Sequence, residues 1–203
     1  MQALPEDIDL AVDERLVASH EDELLEQLAA LGITHTPGTA TFVDPRDGMT
    51  FDLLGLGEVA RGDHIGGGPR LPVMVFEDLA RALEDPRASC RFANGRSLTP
   101  AGFAAVKLLA ERAHKGAKDK LQALLVIAER VEDPSFMTDL ESLLSLFERA
   151  EPGRLEDALA DAQGAFLALA HDPAFRDAGA EGYARVVVDA ERGLQALLEL
   201  RRG

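Results

Sequence analysis

The sequence predicts an α/β fold of the α+β kind, with a small mixed-sheet domain over residues 1–98 and an all-helical region over residues 99–203. Three observations predict it. Up to residue 98, apolar residues come in strand-length runs separated by Gly, Pro, Asp and Asn. From residue 99 they recur at helical spacing, in runs too long for strands. The 203 residues are 46% hydrophobic, enough for a real core, but include no Trp, one Tyr and nine Phe, so that core must be mostly Leu, Ala and Val.

Residues 7–12, Asp-Ile-Asp-Leu-Ala-Val, read as the first strand. At period two, Asp7 and Asp9 share one face and Ile8 and Leu10 the other. Ser19 is the expected N-cap of a helix whose first turn holds Glu21, Asp22 and Glu23, where the dipole favours negative charge. Leu24, Leu25, Leu28 and Leu31 would be its buried stripe, and Gly32 its stop. Residues 39–43 and 49–54 read as two strands joined through Asp44-Pro45-Arg46-Asp47-Gly48, hence a hairpin. Residues 55–72, with Gly66-Gly67-Gly68-Pro69, are expected to be a mobile loop. A short strand at 72–76, a helix from Glu77 to about Leu83 and a turn at Asn94-Gly95 follow.

Thr99 and Pro100 then mark a strong helix start, as N-cap and first helical residue, with Phe103, Val106, Leu109 and Ala110 along one face. Lys115-Gly116 interrupts the run. A second helix continues from about Ala117 through Leu121, Leu124, Leu125 and Ile127 until Asp133-Pro134 breaks it. Residues 136–149, 154–170 and 179–201 read as three more helices. The order β-α-β-β, loop, β-α, then helices alone, is what assigns the fold class.

Composition narrows the function classes. There is no apolar run of membrane-spanning length, and residues 1–6 lack the basic and apolar regions of a signal peptide. The single Cys90 cannot form an internal disulfide, which with the missing signal leads to the expectation of a cytoplasmic protein. His20, His35, His64, His114 and His171 are scattered and give no zinc spacing. The net charge of −15 is uneven. Residues 1–60 carry 13 acids and 2 bases, residues 61–130 carry 8 and 12, and residues 131–203 carry 15 and 7. The acids gather where a metal ion would be wanted, the bases where a phosphate would be, and the acidity after residue 131 argues against nucleic-acid contact there.

Asp7 and Asp9, and Asp52 in Thr50-Phe51-Asp52-Leu53-Leu54, sit inside apolar, strand-like runs. A carboxylate is costly to bury there unless positive charge meets it, and a divalent metal ion is one such partner. The plainer alternative is strand-end acids facing solvent in an unrelated α/β protein. Asp44 and Asp47 are expected as turn formers, His64 as an ordinary loop histidine and Cys90 as inert.

Asp7-Ile8-Asp9-Leu10 in a strand, then a helix, then a hairpin ending in Phe51-Asp52-Leu53-Leu54, resembles the nucleotidyltransferase superfamily. The likeness is to the minimal bacterial nucleotidyltransferase-like proteins associated with abortive-infection and toxin–antitoxin systems. It extends over about residues 6–130, because Leu98-Thr99-Pro100 leading into 105–110, and Lys118-Asp119-Lys120-Leu121 opening the next helix, resemble the helical segment that follows the sheet in those proteins. The resemblance implies a magnesium-dependent transfer of a nucleotide from a nucleoside triphosphate to a hydroxyl of an RNA, a protein or a small molecule. Asp7 and Asp9 would bind two Mg2+ ions, Asp52 would join one of them and help activate the acceptor, and Lys107 and Lys118 would neutralise phosphate charge. An unpaired sheet edge would be covered by a second copy or a partner protein. Active members also carry a Gly-Ser turn before the Asp-x-Asp strand that grips the triphosphate. Residues 1–6 contain no Gly, so the alternative expectation is a catalytically degenerate binding or regulatory module of the same fold.

Overall fold

Among the described residues of the first eighty, six strands assemble into one mixed sheet. The computed structural model describes residues 7–57, 64–75, 77–92, 95–111, 116–171 and 180–201. The chain divides into two units, residues 1–80 and 81–203. The expected class holds: a mixed sheet, then helices towards the C-terminus.

The sheet comprises β1 (Asp7–Asp13), β2 (Thr34–His35), β3 (Thr41–Val43), β4 (Thr50–Leu56), β5 (His64–Gly67) and β6 (Pro72–Val75). Strand β4 is its axis. Along one side β4 runs parallel to β1 for its whole length, from Asp7 opposite Thr50 to Asp13 opposite Leu56. Along the other side its first half pairs antiparallel with β3 and its end pairs parallel with β6. Strands β2 and β5 extend these two partners, each antiparallel. Alternation turns Phe51, Leu53 and Gly55 of β4 to one face, where Phe42, Val73, Val75, Leu71 and Val17 complete a small core. Helices α1 (Glu14–Ser19) and α2 (Glu21–Ala30) cover it, the second through Leu24, Leu25 and Leu28.

Three local expectations are corrected, and one helix start is new. Asp13, the last residue of β1, opens the helical stretch by accepting the Arg15 N–H (2.8 Å), so strand and helix abut without a linker. Ser19 ends α1 instead of capping α2, its hydroxyl donating to the Arg15 carbonyl (2.7 Å). Leu31 is 65% exposed, because α2 stops at Ala30 one residue short of completing the stripe. Gly32 does make the stop, with φ +79°. Gly66 and Gly67 of the expected mobile loop lie in strand β5, because β6 offers them an edge, and Gly55 lies in β4. Glu21 fixes the return by accepting the Arg70 and Leu71 N–H groups (2.7 and 2.5 Å). Residues 58–63 of that loop lie outside the described residues.

Helix α3 (Glu77–Glu84) leads from the first unit's residues into the second. There β7 (Ser89–Phe92) and β8 (Gly95–Leu98) pair as a separate antiparallel hairpin that the sequence patterns do not single out beyond its turn. Asn94 of that turn lies outside the described residues. Among the described residues five helices follow: α4 (Pro100–Leu109), α5 (Gly116–Arg130), α6 (Pro134–Ala150), α7 (Arg154–His171) and α8 (Ala180–Leu200). Their starts are chemically specified. Thr99 accepts the Gly102 N–H (3.0 Å) ahead of Pro100, and Asp133 accepts the Ser135 and Phe136 N–H groups ahead of Pro134. Leu108, Leu124, Ile127, Leu140, Leu143 and Leu197 anchor the core between them. Helices α5 and α8 approach so closely that a Cβ on Gly193 would lie 2.0 Å from the Leu124 carbonyl oxygen.

Two substitutions follow with different magnitudes. Thr99→Ala removes a cap and is expected to cost about 1 kcal/mol. Gly193→Ala drives a methyl into backbone and is expected to cost about 3 kcal/mol or more. Urea midpoints at unchanged m-value measure both. A pH series tests the caps. Ser135 and Phe136 hold the Asp133 carboxyl below its usual range, and the Gly153 and Leu155 amides do the same for Glu148. Folded pKa values below the unfolded ones contribute stability that is present above about pH 4 and lost as pH falls through the folded values. The urea midpoint of the wild type should therefore drop below about pH 4, and Asp133→Asn should flatten part of that drop.

Candidate functional site

The register of β1 on β4 decides where the candidate acids go. In a parallel pair, residues directly opposite each other point to the same face about 4.8 Å apart. Asp9 lies directly opposite Asp52, and Asp7 opposite Thr50. On the far side of β4, Thr41 of β3 lies opposite Asp52. One row across three strands therefore reads Asp9, Asp52, Thr41, on the face opposite the Phe42–Leu53 core. Asp9 is exposed and Asp52 half-buried. The Thr41 hydroxyl donates to Asp52 Oδ1 (2.6 Å), which fixes the carboxylate's orientation. The Asp7 side chain lies outside the described residues, as does that of His64. Among the described residues no group of three or more His, Cys, Asp or Glu is gathered closely enough to hold a metal ion.

Neighbouring acids have structural work, as the turn chemistry predicts. Asp44 accepts from the Arg46 N–H and guanidinium, which holds its carboxyl down at about 2, and Asp47 accepts the Met49 N–H (2.9 Å). The two fix the β3–β4 hairpin and so the register that sets Thr41 against Asp52.

The candidate lysines belong to the second unit and have separate surroundings. The Lys107 ammonium on α4 makes a salt bridge to Asp119 on α5 (2.9 Å), with the two side chains 18% and 2% exposed, and lies 5.7 Å from the centre of the Phe103 ring. Lys118, one residue before that aspartate, is exposed. Lys120, which the basic run Lys115, Lys118 and Lys120 offers as a phosphate contact, and Arg154 instead have structural partners. Lys120 is buried and donates to the Ala110 carbonyl (2.6 Å), and the buried Arg154 donates to the Leu109 carbonyl (3.1 Å). Two cations thus close the C-terminal end of α4, where carbonyls lack helical partners and the dipole is negative. Burial holds the Lys120 ammonium below the usual lysine range. The Lys120 contact crosses from one helix to the next and the Arg154 contact joins residues 45 apart in sequence, so no helical spacing announces them. For Thr41 a signal did exist: it is the polar residue beside Phe42 in a strand that hairpins onto the Asp52 strand.

Compared with family models, with curated proteins and with solved structures, the chain matches none. Among the described residues no helix is long and apolar enough to cross a membrane.

The Lys107–Asp119 pair gives a stability test. Asp119→Ala leaves a half-buried ammonium without its carboxylate and is expected to cost about 3 kcal/mol or more. The double change Lys107→Met with Asp119→Leu should recover most of that loss. The comparison of urea midpoints for single and double variants measures the pair's coupling.

Proposed function

We propose that this chain is a nucleotidyltransferase-like protein whose first unit binds Mg2+ and a nucleoside triphosphate at Asp9 and Asp52, joined by Asp7 two residues earlier on β1. The observation that carries the reading is the row Asp9–Asp52–Thr41, in which two carboxylates face each other across a parallel ladder. Like charges directly opposite on a sheet repel, and a divalent cation between them offsets the repulsion.

The donor set fits magnesium. All its ligands are hard carboxylate oxygens, and magnesium is typically held by one or two carboxylates with waters and substrate phosphates completing an octahedron, not by an all-protein cage. Two aligned carboxylates therefore suffice. The bound ion would supply Lewis-acid stabilisation of charge on the phosphoryl oxygens. The chain's own part is positional. Asp9 would hold the metal and the triphosphate, and Asp52, oriented by Thr41, would draw the acceptor hydroxyl to the same point and take its proton. The acceptor classes are an RNA, a protein or a small-molecule hydroxyl.

A second reading keeps the binding and drops the transfer: a regulatory module of the same fold. The Lys107–Asp119 salt bridge favours it, because that ammonium already has a carboxylate partner.

Titration calorimetry separates the readings. Mg2+ followed by each triphosphate should give saturable heat with the full chain. Asp52→Asn should weaken metal binding more than tenfold with an unchanged urea midpoint, and Thr41→Val should weaken it less. Absence of heat with metal and with every triphosphate would sink both readings. Binding without transfer of labelled nucleotide to any acceptor class would leave the regulatory module.

A further inference from the structure

We propose that His35 and Thr39 are positioning residues for the acidic row, fixing Thr41 and through it the Asp52 carboxylate. Their functional role rests on the metal-site reading above, while their hold on Thr41 is open to test without metal.

Thr41 is the first residue of β3, a strand of three residues whose outer neighbour β2 has two. The ends of such short ladders fray, and a frayed Thr41 would lose its hold on Asp52. Side chains counter that. His35 on β2 lies opposite Phe42, with the ring centres 5.0 Å apart. From there its Nε2 reaches the Thr39 carbonyl (2.8 Å). A carbonyl only accepts, so Nε2 carries the proton and donates it. The Thr39 hydroxyl donates to the Thr36 carbonyl (2.8 Å) and accepts the Thr41 N–H (3.1 Å). The Thr41 hydroxyl then donates to Asp52 Oδ1 (2.6 Å). One series of contacts thus runs from His35 through Thr39 and Thr41 to Asp52.

The chain reversal between β2 and β3 does not need these bonds. Thr36-Pro37-Gly38-Thr39 has Pro at its second position and Gly38 at its third with φ +76°. The Thr39 N–H donates to the Thr36 carbonyl (3.1 Å). That is the pattern of a type II turn, which fixes the reversal by itself. The His35 and Thr39 side-chain bonds are additional to it, and the second of them ends on Thr41. Packing does not call for the imidazole either, since a phenylalanine at 35 would meet Phe42 as well. What histidine adds is a donor on a half-buried ring whose place Phe42 sets. Side chains locked in this way by packing and hydrogen bonds are what hold a site's own groups to their geometry.

NMR of the full chain without metal tests the placement. Couplings of the Thr41 methyl carbon to its own backbone nitrogen and carbonyl carbon report χ1, and the wild type should show a single rotamer. His35→Phe keeps a ring on Phe42 and removes the donor. It should give averaged Thr41 couplings while a dispersed amide spectrum shows that the sheet persists. His35→Gln returns an N–H at similar reach and should restore the single rotamer. Calorimetry with Mg2+ tests the consequence. His35→Phe should weaken binding about threefold, the worth of a neutral hydrogen bond, and should change nothing further in a Thr41→Val background. Unaltered Thr41 couplings in His35→Phe overturn the proposal, as does a loss of Mg2+ affinity that is equal with and without the Thr41 hydroxyl. If the couplings respond as expected while the wild type takes up no Mg2+, the positioning of Thr41 stands and the metal-site reading fails.

Discussion

The structure of the first unit depends on one constraint, that β4 is paired along both sides. Its first three residues have β1 on one side and β3 on the other, and its end has β1 and β6. Such a strand has no freedom of register, since a slip of one residue would exchange Phe51, Leu53 and Gly55 for Thr50, Asp52 and Leu54 on the core face. Burial of Leu53 therefore fixes where Asp52 goes. The same ladder carries Asp9 to its side, and the Asp44–Arg46 hairpin carries Thr41 to the other. The chemistry of the acidic row is a consequence of the hydrophobic packing behind it.

The second unit is organised by a different need. Helix α4 ends against other helices, where carbonyl oxygens cannot all reach water. Lys120 and Arg154, from α5 and α7, supply the missing donors. Putting cations in the interior is unfavourable for each alone, as the lowered pKa of Lys120 reflects. Asp119 beside Lys107 returns negative charge to the same region. The hydrogen bonds there tie α4, α5 and α7 together at one point. That gives the Lys-Asp-Lys stretch at 118–120 a structural account, with Asp119 and Lys120 turned inwards and Lys118 left at the surface.

Much of this was legible from local chemistry. Thr99-Pro100 announces a helix start through fixed φ and a side-chain acceptor and behaves as expected, and Asp133-Pro134, expected as a break, also opens α6 by the same chemistry. Strand β1 and the β3–β4 hairpin show in period-two alternation with turn residues between. What escaped depends on which neighbouring element is present, not on residue type. Gly66 and Gly67 become strand because β6 returns beside them, and Asp13 starts a helix that Ser19 ends. The candidate site divides the same way. That Asp7 and Asp9 share a face follows from the pleat, but that Asp9 meets Asp52 follows from a parallel pairing some forty residues away in sequence.

The two acids of the row call for different explanations, and the difference bears on function. Among the described residues β1 pairs only with β4, so it is an edge strand, and charges on an edge strand discourage pairing with other chains. That reason covers Asp9 and Asp13. It does not cover Asp52, which stands on the central strand, where aspartate is poorly suited to the pleat and where the Thr41 hydroxyl meets only one of its oxygens within the row. A threonine or a serine at position 52 would hydrogen-bond to Thr41 equally well and would not repel Asp9. Among the described residues the fold does not call for a carboxylate at 52, whereas on the proposed reading a hard cation shared with Asp9 would. On that reading, removing the charge at 52 while keeping its size leaves folding intact and weakens the proposed metal binding. That outcome is the reverse of what is expected at Asp119, whose carboxylate is needed by the fold itself.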